Sequence, residues 1–368
     1  MNDIDAYAAI LLGEMPLIDT RAPIEFARGS FPGAVNLPLM SDEERAEVGT
    51  CYKQQGQASA IALGHQLVSE DVKENRVAQW QNFAAQHPDG ALFCFRGGMR
   101  SAISQQWLSD ASVEYPRITG GYKAMRRWLI DSLEQLCSDR QLVIIGGRTG
   151  CAKTDLINEG CGGGAIPGSV DLEGLAHHRG SAFGKRPGGQ PTQINFENAL
   201  AIALLKAGQT HDGTLVLEDE SRLIGRCALP LALQAAMKAA PIMLLESSLE
   251  ARVAHSFDNY ILDNLRTLQQ QMDSATEAFD VFAQGLRDSM DGINRRLGDV
   301  RHKILRTQLE SALSNHLQGD ASEHLIWIES LLKDYYDPMY DYQLSKRQDL
   351  VVFRGDREQI ASRLCTLT

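Results

Sequence analysis

The chain is short of the residues that would staple it, carry it through a membrane or coat it with one charge. Seven cysteines stand among 368 residues without a C-x-x-C pair. Neither a disulfide framework nor a zinc knuckle is therefore indicated, and reduced thiols are expected. No apolar run approaches membrane-spanning length, which excludes a transmembrane helix. Positive charge is in deficit: 36 Lys and Arg against 47 Asp and Glu give a formal net charge of −11. That argues against a nonspecific polyanion binder but leaves room for a local basic face. The opening Met1-Asn2-Asp3-Ile4-Asp5 is acidic where a secretory leader is basic, so a cytoplasmic location is expected. Internal repeats and low-complexity tracts are also missing. What is present is a 43% hydrophobic chain long enough for two domains, each with its own core.

Short apolar runs alternate with helical patterns, so the fold class is α/β. In the first part, strands are predicted at 17–19, 34–37, 91–95 and 117–119. Helices are predicted at 71–87, 101–110 and 122–136, with Ser101 as an N-cap. Polar Cys137-Ser138-Asp139-Arg140 reads as a linker, giving domains 1–136 and 137–368. After it the alternation restarts, with strands at 142–145, 215–217, 241–245 and 350–354 and glycine-rich loops at 160–168 and 182–193. A helical insertion spans about 248–336. Alternating βα units imply parallel sheets covered on both faces.

Two strand-to-helix loops carry the chemistry. The first is Cys94-Phe95-Arg96-Gly97-Gly98-Met99-Arg100-Ser101. A cysteine at a strand end, followed by six residues whose amides curl inward and by Arg100 closing the ring, makes a site for a tetrahedral oxyanion. Positive potential there favours the thiolate, which is the nucleophile. Rhodanese-type chalcogen transfer and cysteine phosphatases share this spacing, so the loop alone leaves both open. Asp19-Thr20-Arg21, Glu25-Phe26, Gly29 and Pro32-Gly33-Ala34-Val35-Asn36-Leu37-Pro38 resemble the opening of a rhodanese domain, and Gly120-Gly121-Tyr122 resembles its close. Phe93 stands where a phosphatase usually has histidine. The loop is one residue longer than in common sulfurtransferases, which suits a phosphate-sized donor.

The second loop, Gly147-Arg148-Thr149-Gly150-Cys151-Ala152-Lys153-Thr154, is a Walker A variant. Glycines let amides wrap phosphates, lysine reaches their outer oxygens and the hydroxyl serves Mg²⁺. Ala152 replaces the glycine before lysine. Leu215-Val216-Leu217-Glu218-Asp219 resembles a Walker B strand whose acids hold Mg²⁺ directly or through water.

Other clusters are weaker. His177-His178-Arg179-Gly180 reads as substrate contacts or a capped loop rather than metal ligands. Arg295, Arg296, Arg301, His302, Lys303 and Arg306 form two helical stripes at spacing seven, diluted by Asp291 and Asp299. They read equally as an RNA contact and as a solvated face. Tyr335-Tyr336-Asp337-Pro338-Met339-Tyr340-Asp341-Tyr342 offers rings for stacking or for a core.

The order of these motifs resembles the tRNA 2-selenouridine synthases, in which a rhodanese domain precedes a P-loop domain. The matching residues include both loops, Asp171-Leu172-Glu173-Gly174-Leu175-Ala176-His177-His178-Arg179-Gly180-Ser181-Ala182-Phe183-Gly184, Phe196-Glu197-Asn198, Glu218-Asp219-Glu220-Ser221 and Tyr335-Tyr336-Asp337-Pro338-Met339-Tyr340. The resemblance implies an N-terminal rhodanese-like domain and a P-loop NTPase-like parallel-sheet domain with a helical C-terminal part. It implies conversion of wobble 2-thiouridine in tRNA to 2-selenouridine. Selenophosphate would be the donor, and an S-geranylated uridine made from geranyl diphosphate the intermediate. Cys94 and Arg100 are then the expected catalytic pair, with selenophosphate held by Arg96, Gly97, Gly98, Met99 and Ser101. Gly147, Arg148, Thr149, Gly150, Lys153 and Thr154 would hold diphosphate, and Thr154, Glu218 and Asp219 a Mg²⁺. No tightly bound cofactor is expected. On charge alone, Arg126, Arg127, Arg295, Arg296, Lys303 and Arg306 are the candidate tRNA contacts. The competing readings are a plain sulfurtransferase and a P-loop kinase with a rhodanese domain.

Overall fold

A computed structural model describes residues 3–211 and 213–366. The chain forms two compact units, Met1–Gln135 with Thr192–Lys206, and Leu136–Pro191 with Ala207–Thr368. The division falls inside two helices, Gly121–Asp139 and Gln193–Thr210. The polar stretch 137–140, expected to be a linker, is therefore helical as far as Asp139. Polarity marked an exposed helical turn here, not a break.

The first unit contains strands β1 (Asp3–Ile4), β2 (Leu17–Asp19), β3 (Ala34–Asn36), β4 (Ala91–Phe93) and β5 (Arg117–Ile118). They pair in parallel in the order β1-β5-β4-β2-β3. Every residue of β2 and β4 is buried, as expected for strands covered on both faces. Ile18, Leu92, Leu39, Val68, Trp80 and Trp107 share one core, and Trp80 Nε1 satisfies itself on the Leu37 carbonyl at 2.9 Å.

Residues 42–67, where no element was expected, form a helix, Asp42–Leu67. Its residues follow no apolar stripe, so periodicity is silent. Its start is fixed instead by a reciprocal cap: Ser41 Oγ accepts from Glu44 N at 3.2 Å, and Glu44 Oε2 accepts from Ser41 N at 2.7 Å. Gly56, at φ +84°, divides the helix with a kink.

The second unit has β6 (Leu142–Gly146), β7 (Ser169–Val170), β8 (Leu215–Glu218), a small hairpin of β9 (Leu223–Ile224) and β10 (Cys227–Ala228), β11 (Ile242–Leu245) and β12 (Val351–Gly355). The main sheet is parallel, in the order β12-β11-β6-β8-β7. Both sheets bear out the expected α/β class. Between β11 and β12 the chain is helical over 249–350, further than the expected end near 336. This region has its own core, which includes Tyr260, Ile261, Phe282, Met290, Leu309 and Trp327. Among the described residues no helix is long and apolar enough to cross a membrane.

One expectation about cysteine is corrected. Cys161 and Cys365 form a disulfide with Cα atoms 5.9 Å apart. Their separation of 204 positions hid the pair from spacing arguments. Packing brings them together, because Ile360 and Leu364 of the last helix share a core with Leu156, Ile157 and Cys161.

Candidate active site

Each loop follows the carboxyl end of a parallel strand, where a helix begins and its first amides lack intrahelical partners. Cys94 directly follows β4, and the next helix is Met99–Asp110. Among the described residues, the backbone N–H groups from Arg96 to Ser101 donate to no protein acceptor. Those amides and the helix dipole favour an anion. Gly98, not Ser101, stands at the N-cap. Ser101 is wholly buried; its Oγ donates to the Gly98 carbonyl at 3.1 Å and lies 3.1 Å from Cys94 Sγ. Gly97 has φ +61°, and a Cβ there would lie 2.7 Å from Gly120 N and 2.8 Å from the Ile118 carbonyl. The Gly120-Gly121 turn thus fixes the loop from behind.

Arg100, expected to close the ring, is engaged by another partner. It forms an ion pair with Glu25, which Arg45 Nε also approaches at 3.1 Å. Burial opposes both charges, but the pairing outweighs it, holding Arg100 above the usual arginine range and Glu25 below the usual carboxylate range. Asp19 and Arg21 are buried beneath as a second pair, with Arg21 stacked 3.9 Å from the Tyr122 ring centroid.

The second loop links β6 to the helix Lys153–Glu159. Ala152 adopts a left-handed conformation, φ +60° and ψ 43°, as a glycine would. Lys153 Nζ donates to the Gly147 carbonyl at 3.2 Å. Gly147 N donates to Tyr340 Oη at 2.6 Å, so a tyrosine from the helical region occupies the first amide of the loop. Arg148 turns to Asp341, at 2.7 Å, and is about half exposed. The Thr149 carbonyl accepts from Arg252 at 3.3 Å.

A buried carboxylate cluster faces the lysine. Thr154 Oγ1 lies 2.5 Å from Glu218 Oε1 and 3.0 Å from Glu173 Oε2, while Glu218 Oε2 accepts from the amides of Leu172 and Glu173. Burial, reinforced by Glu173 and Asp171, pushes Glu218 up to about 8. Glu173 and Glu220 are raised as well, burial again being the largest cause. Burial alone would lower Lys153, but Cys151, Glu220 and Glu173 outweigh it and keep the ammonium charged. Asp219, expected beside Glu218 at a cation, is instead held by Arg347 Nη2 at 2.7 and 2.9 Å. Glu173 is the second carboxylate beside Thr154.

Lys153, Thr154, Glu220, Arg179, Arg186 and Arg296 line a cavity of about 640 Å³. His178 is held down to about 4, first by burial and then by Lys185, Arg186 and Arg179. Arg179 Nε and Arg186 Nε are buried without partners among the described residues. This concentration of cationic groups suits a polyanion. Arg179 was expected only as part of the 177–180 cluster, and Arg186, Glu173 and Glu220 had no expected role of their own; the dense charge of 171–186 and the Glu218-Asp219-Glu220 run were the available signals.

The candidate tRNA contacts separate. Arg126 is committed to Glu197 and Asn198, so it is a structural residue. Arg127 is exposed and pairs with Asp131 one turn away. Gly298, at φ +79°, breaks the expected spacing-seven stripe into Asn294–Leu297 and Asp299–Leu317. Arg306 is neutralised by Glu310 and Asp291, whereas Arg295, Arg296 and Lys303 remain exposed.

Fold and site together define a parallel α/β protein with two strand-to-helix loops, one bearing a thiol and the other a lysine. Residues 140–367 match the family model described as the tRNA 2-selenouridine synthase AAA domain. Proteins named tRNA 2-selenouridine synthase are similar over nearly the whole chain. That of Hahella chejuensis is 56% identical, covering 96% of this chain and 92% of its own. The Marinobacter nauticus protein is 49% identical, covering 97% and 96%, and the Alcanivorax borkumensis protein 47%, covering 98% of each. The chain belongs to the tRNA 2-selenouridine synthase family.

Two predictions follow from the lysine loop. An L-residue in the left-handed region costs roughly 1–2 kcal/mol, partly offset by the flexibility that glycine brings to the unfolded chain. Ala152→Gly should therefore raise the melting temperature of the second unit by about 1–3 °C in calorimetry; a fall would show that the alanine is unstrained. Glu218 binds its proton in the folded protein between about 4.5 and about 8, whereas the unfolded chain has lost it. The native state then holds more protons, and stability falls as pH rises through that window. In metal-free buffer, Glu218→Gln should make that fall shallower by about one proton's worth. Denaturant titrations at several pH values with parallel curves for both proteins would contradict it.

Proposed function

We propose that the protein replaces the sulfur of 2-thiouridine in tRNA with selenium in two steps, one at each loop, and acts in the cytoplasm. The observation that carries this reading is the pairing, in a member of this family, of a cysteine loop and a lysine loop, each opening a helix after a parallel strand. The first unit is read as the rhodanese-like domain and the second as the P-loop domain.

In the first step the uridine sulfur attacks the first carbon of geranyl diphosphate. The C–O bond breaks, diphosphate leaves with its electron pair, and the base loses its N3 proton to solvent. Lys153, the amides of the 147–154 loop, Arg179 and Arg186 are suited to the charge that develops on the leaving group. The oxygens of Thr154 and Glu218 fit a Mg²⁺ that completes its shell with substrate phosphates, the usual habit of that ion. Among the described residues no group of three or more acidic, histidine or cysteine ligands forms a metal cage.

In the second step selenium from selenophosphate bonds to C2 and the C2–S bond breaks. Geranyl thiolate leaves with the electron pair and is protonated, and water takes the phosphoryl group off as phosphate. Alkylation makes this displacement feasible, since an alkyl thiolate leaves more readily than sulfide. Cys94, Ser101 and the amides of 96–101 are assigned to the selenium donor, with Arg100 drawing it in electrostatically.

Mass analysis of nucleosides from modified tRNA tests the assignment. Cys94→Ala should abolish 2-selenouridine while S-geranyl-2-thiouridine accumulates. Lys153→Ala should slow geranylation by about 10²–10³-fold and spare selenation of tRNA supplied already geranylated. Wild-type selenation by Cys94→Ala, or equal loss of both steps in Lys153→Ala, would overturn the division of labour.

A further inference from the structure

The cysteine loop opens into a cavity far larger than its anion requires. Its volume is about 960 Å³, near the top of the roughly 300–1,000 Å³ range of small-molecule sites. Selenophosphate would fill only a small corner of it. The loop lines part of the cavity, and much of the remaining lining is apolar, with Thr50, Lys53, Gln57 and His65 among it. Leu39, Val68 and Trp107 are buried there, and Val48, Ile61 and Ile103 contribute partly buried faces. Much of the wall comes from the kinked Asp42–Leu67 helix. Beside the loop Glu25 pairs with both Arg45 and Arg100. At the rim Gln57 Nε2 lies 3.3 Å from Met99 Sδ.

We propose that this cavity holds the geranyl chain of the S-alkylated uridine during selenium transfer. It would deliver C2 to the Cys94 loop and receive the departing geranyl thiolate. The inference rests on the two-step reading above and adds to it the subsite that selects the alkyl group. Three observations converge. The apolar walls are continuous with the loop that is assigned to the selenium donor. Of the two substrate groups, only the hydrocarbon chain gains from leaving water for such walls. The cavity at Lys153 adds Arg179, Arg186, Arg296, Glu173 and Glu220 to apolar and aromatic residues such as Leu223, Tyr260 and Met339, and its charged groups suit a diphosphate. The prenyl chain is therefore recognised twice by different means, through its leaving group at the lysine loop and through its hydrocarbon at the cysteine loop.

The test supplies the full chain with selenophosphate and tRNA bearing either S-geranyl- or S-methyl-2-thiouridine, and measures kcat/KM for 2-selenouridine formation. The geranyl substrate should be preferred by at least about 100-fold, as expected for burying most of the longer chain. Ile61→Trp, which fills part of the cavity, should cut the S-geranyl rate at least about tenfold more than the S-methyl rate. Inhibition of the unmodified protein gives an independent arm: geranylthiol should compete with S-geranyl tRNA, and a five-carbon prenylthiol should be at least about tenfold weaker. Equal wild-type rates for the two substrates, or equal inhibition by the two thiols, would overturn the subsite while leaving the two-step reading intact. If neither alkylated tRNA yields 2-selenouridine, the two-step reading itself fails, and the subsite with it.

Discussion

A strand in a parallel sheet must be followed by a crossover, and when that crossover begins with a helix, unsatisfied amides collect at the strand's carboxyl end. That constraint is met twice here, after β4 and after β6, and the site chemistry depends on it. The sheets fix where the two loops start, and the buried residues of β2, β4, β6 and β8 fix the sheets. The side chain that each loop adds then sets its task. A thiol beside a buried serine can handle a chalcogen. An ammonium beside buried carboxylates holds its charge in low dielectric, where it acts strongly on a leaving diphosphate.

The two sites manage charge differently. At the cysteine loop Arg100 and Arg45 share the single carboxylate of Glu25, so an arriving anion meets a net positive group whose geometry is already set. At the lysine loop the balance is unsettled: Glu173, Glu218 and Glu220 hold raised carboxyls on one side, while Arg179 and Arg186 keep buried nitrogens without partners on the other. A phosphate group with an accompanying cation would satisfy both sides at once. Clusters of perturbed titratable groups of this kind are common at functional sites.

Much of this was legible in the sequence. The strand ends, both loops and the α/β class follow from apolar runs interrupted by glycine-rich turns, since local backbone chemistry dictates them. What periodicity misses is whatever tertiary packing decides. The helix Asp42–Leu67 has no apolar stripe, so the cavity it helps to build was invisible. Arg126 looked available for RNA until the fold brought Glu197 and Asn198 to it. Asp219 is adjacent to Glu218 in sequence, yet it is claimed by Arg347, 128 positions away. Cys161 and Cys365 show the same limit. In each case the missing information was a long-range partner, which no local pattern encodes.

The central claim is that the two loops bind different anions. Amide hydrogen exchange of the intact protein, alone and with pyrophosphate or selenophosphate, tests it most directly. Pyrophosphate should slow exchange in 147–156 and leave 95–102 unchanged, and selenophosphate should slow exchange in 95–102. Protection of the same loop by both anions would contradict the account.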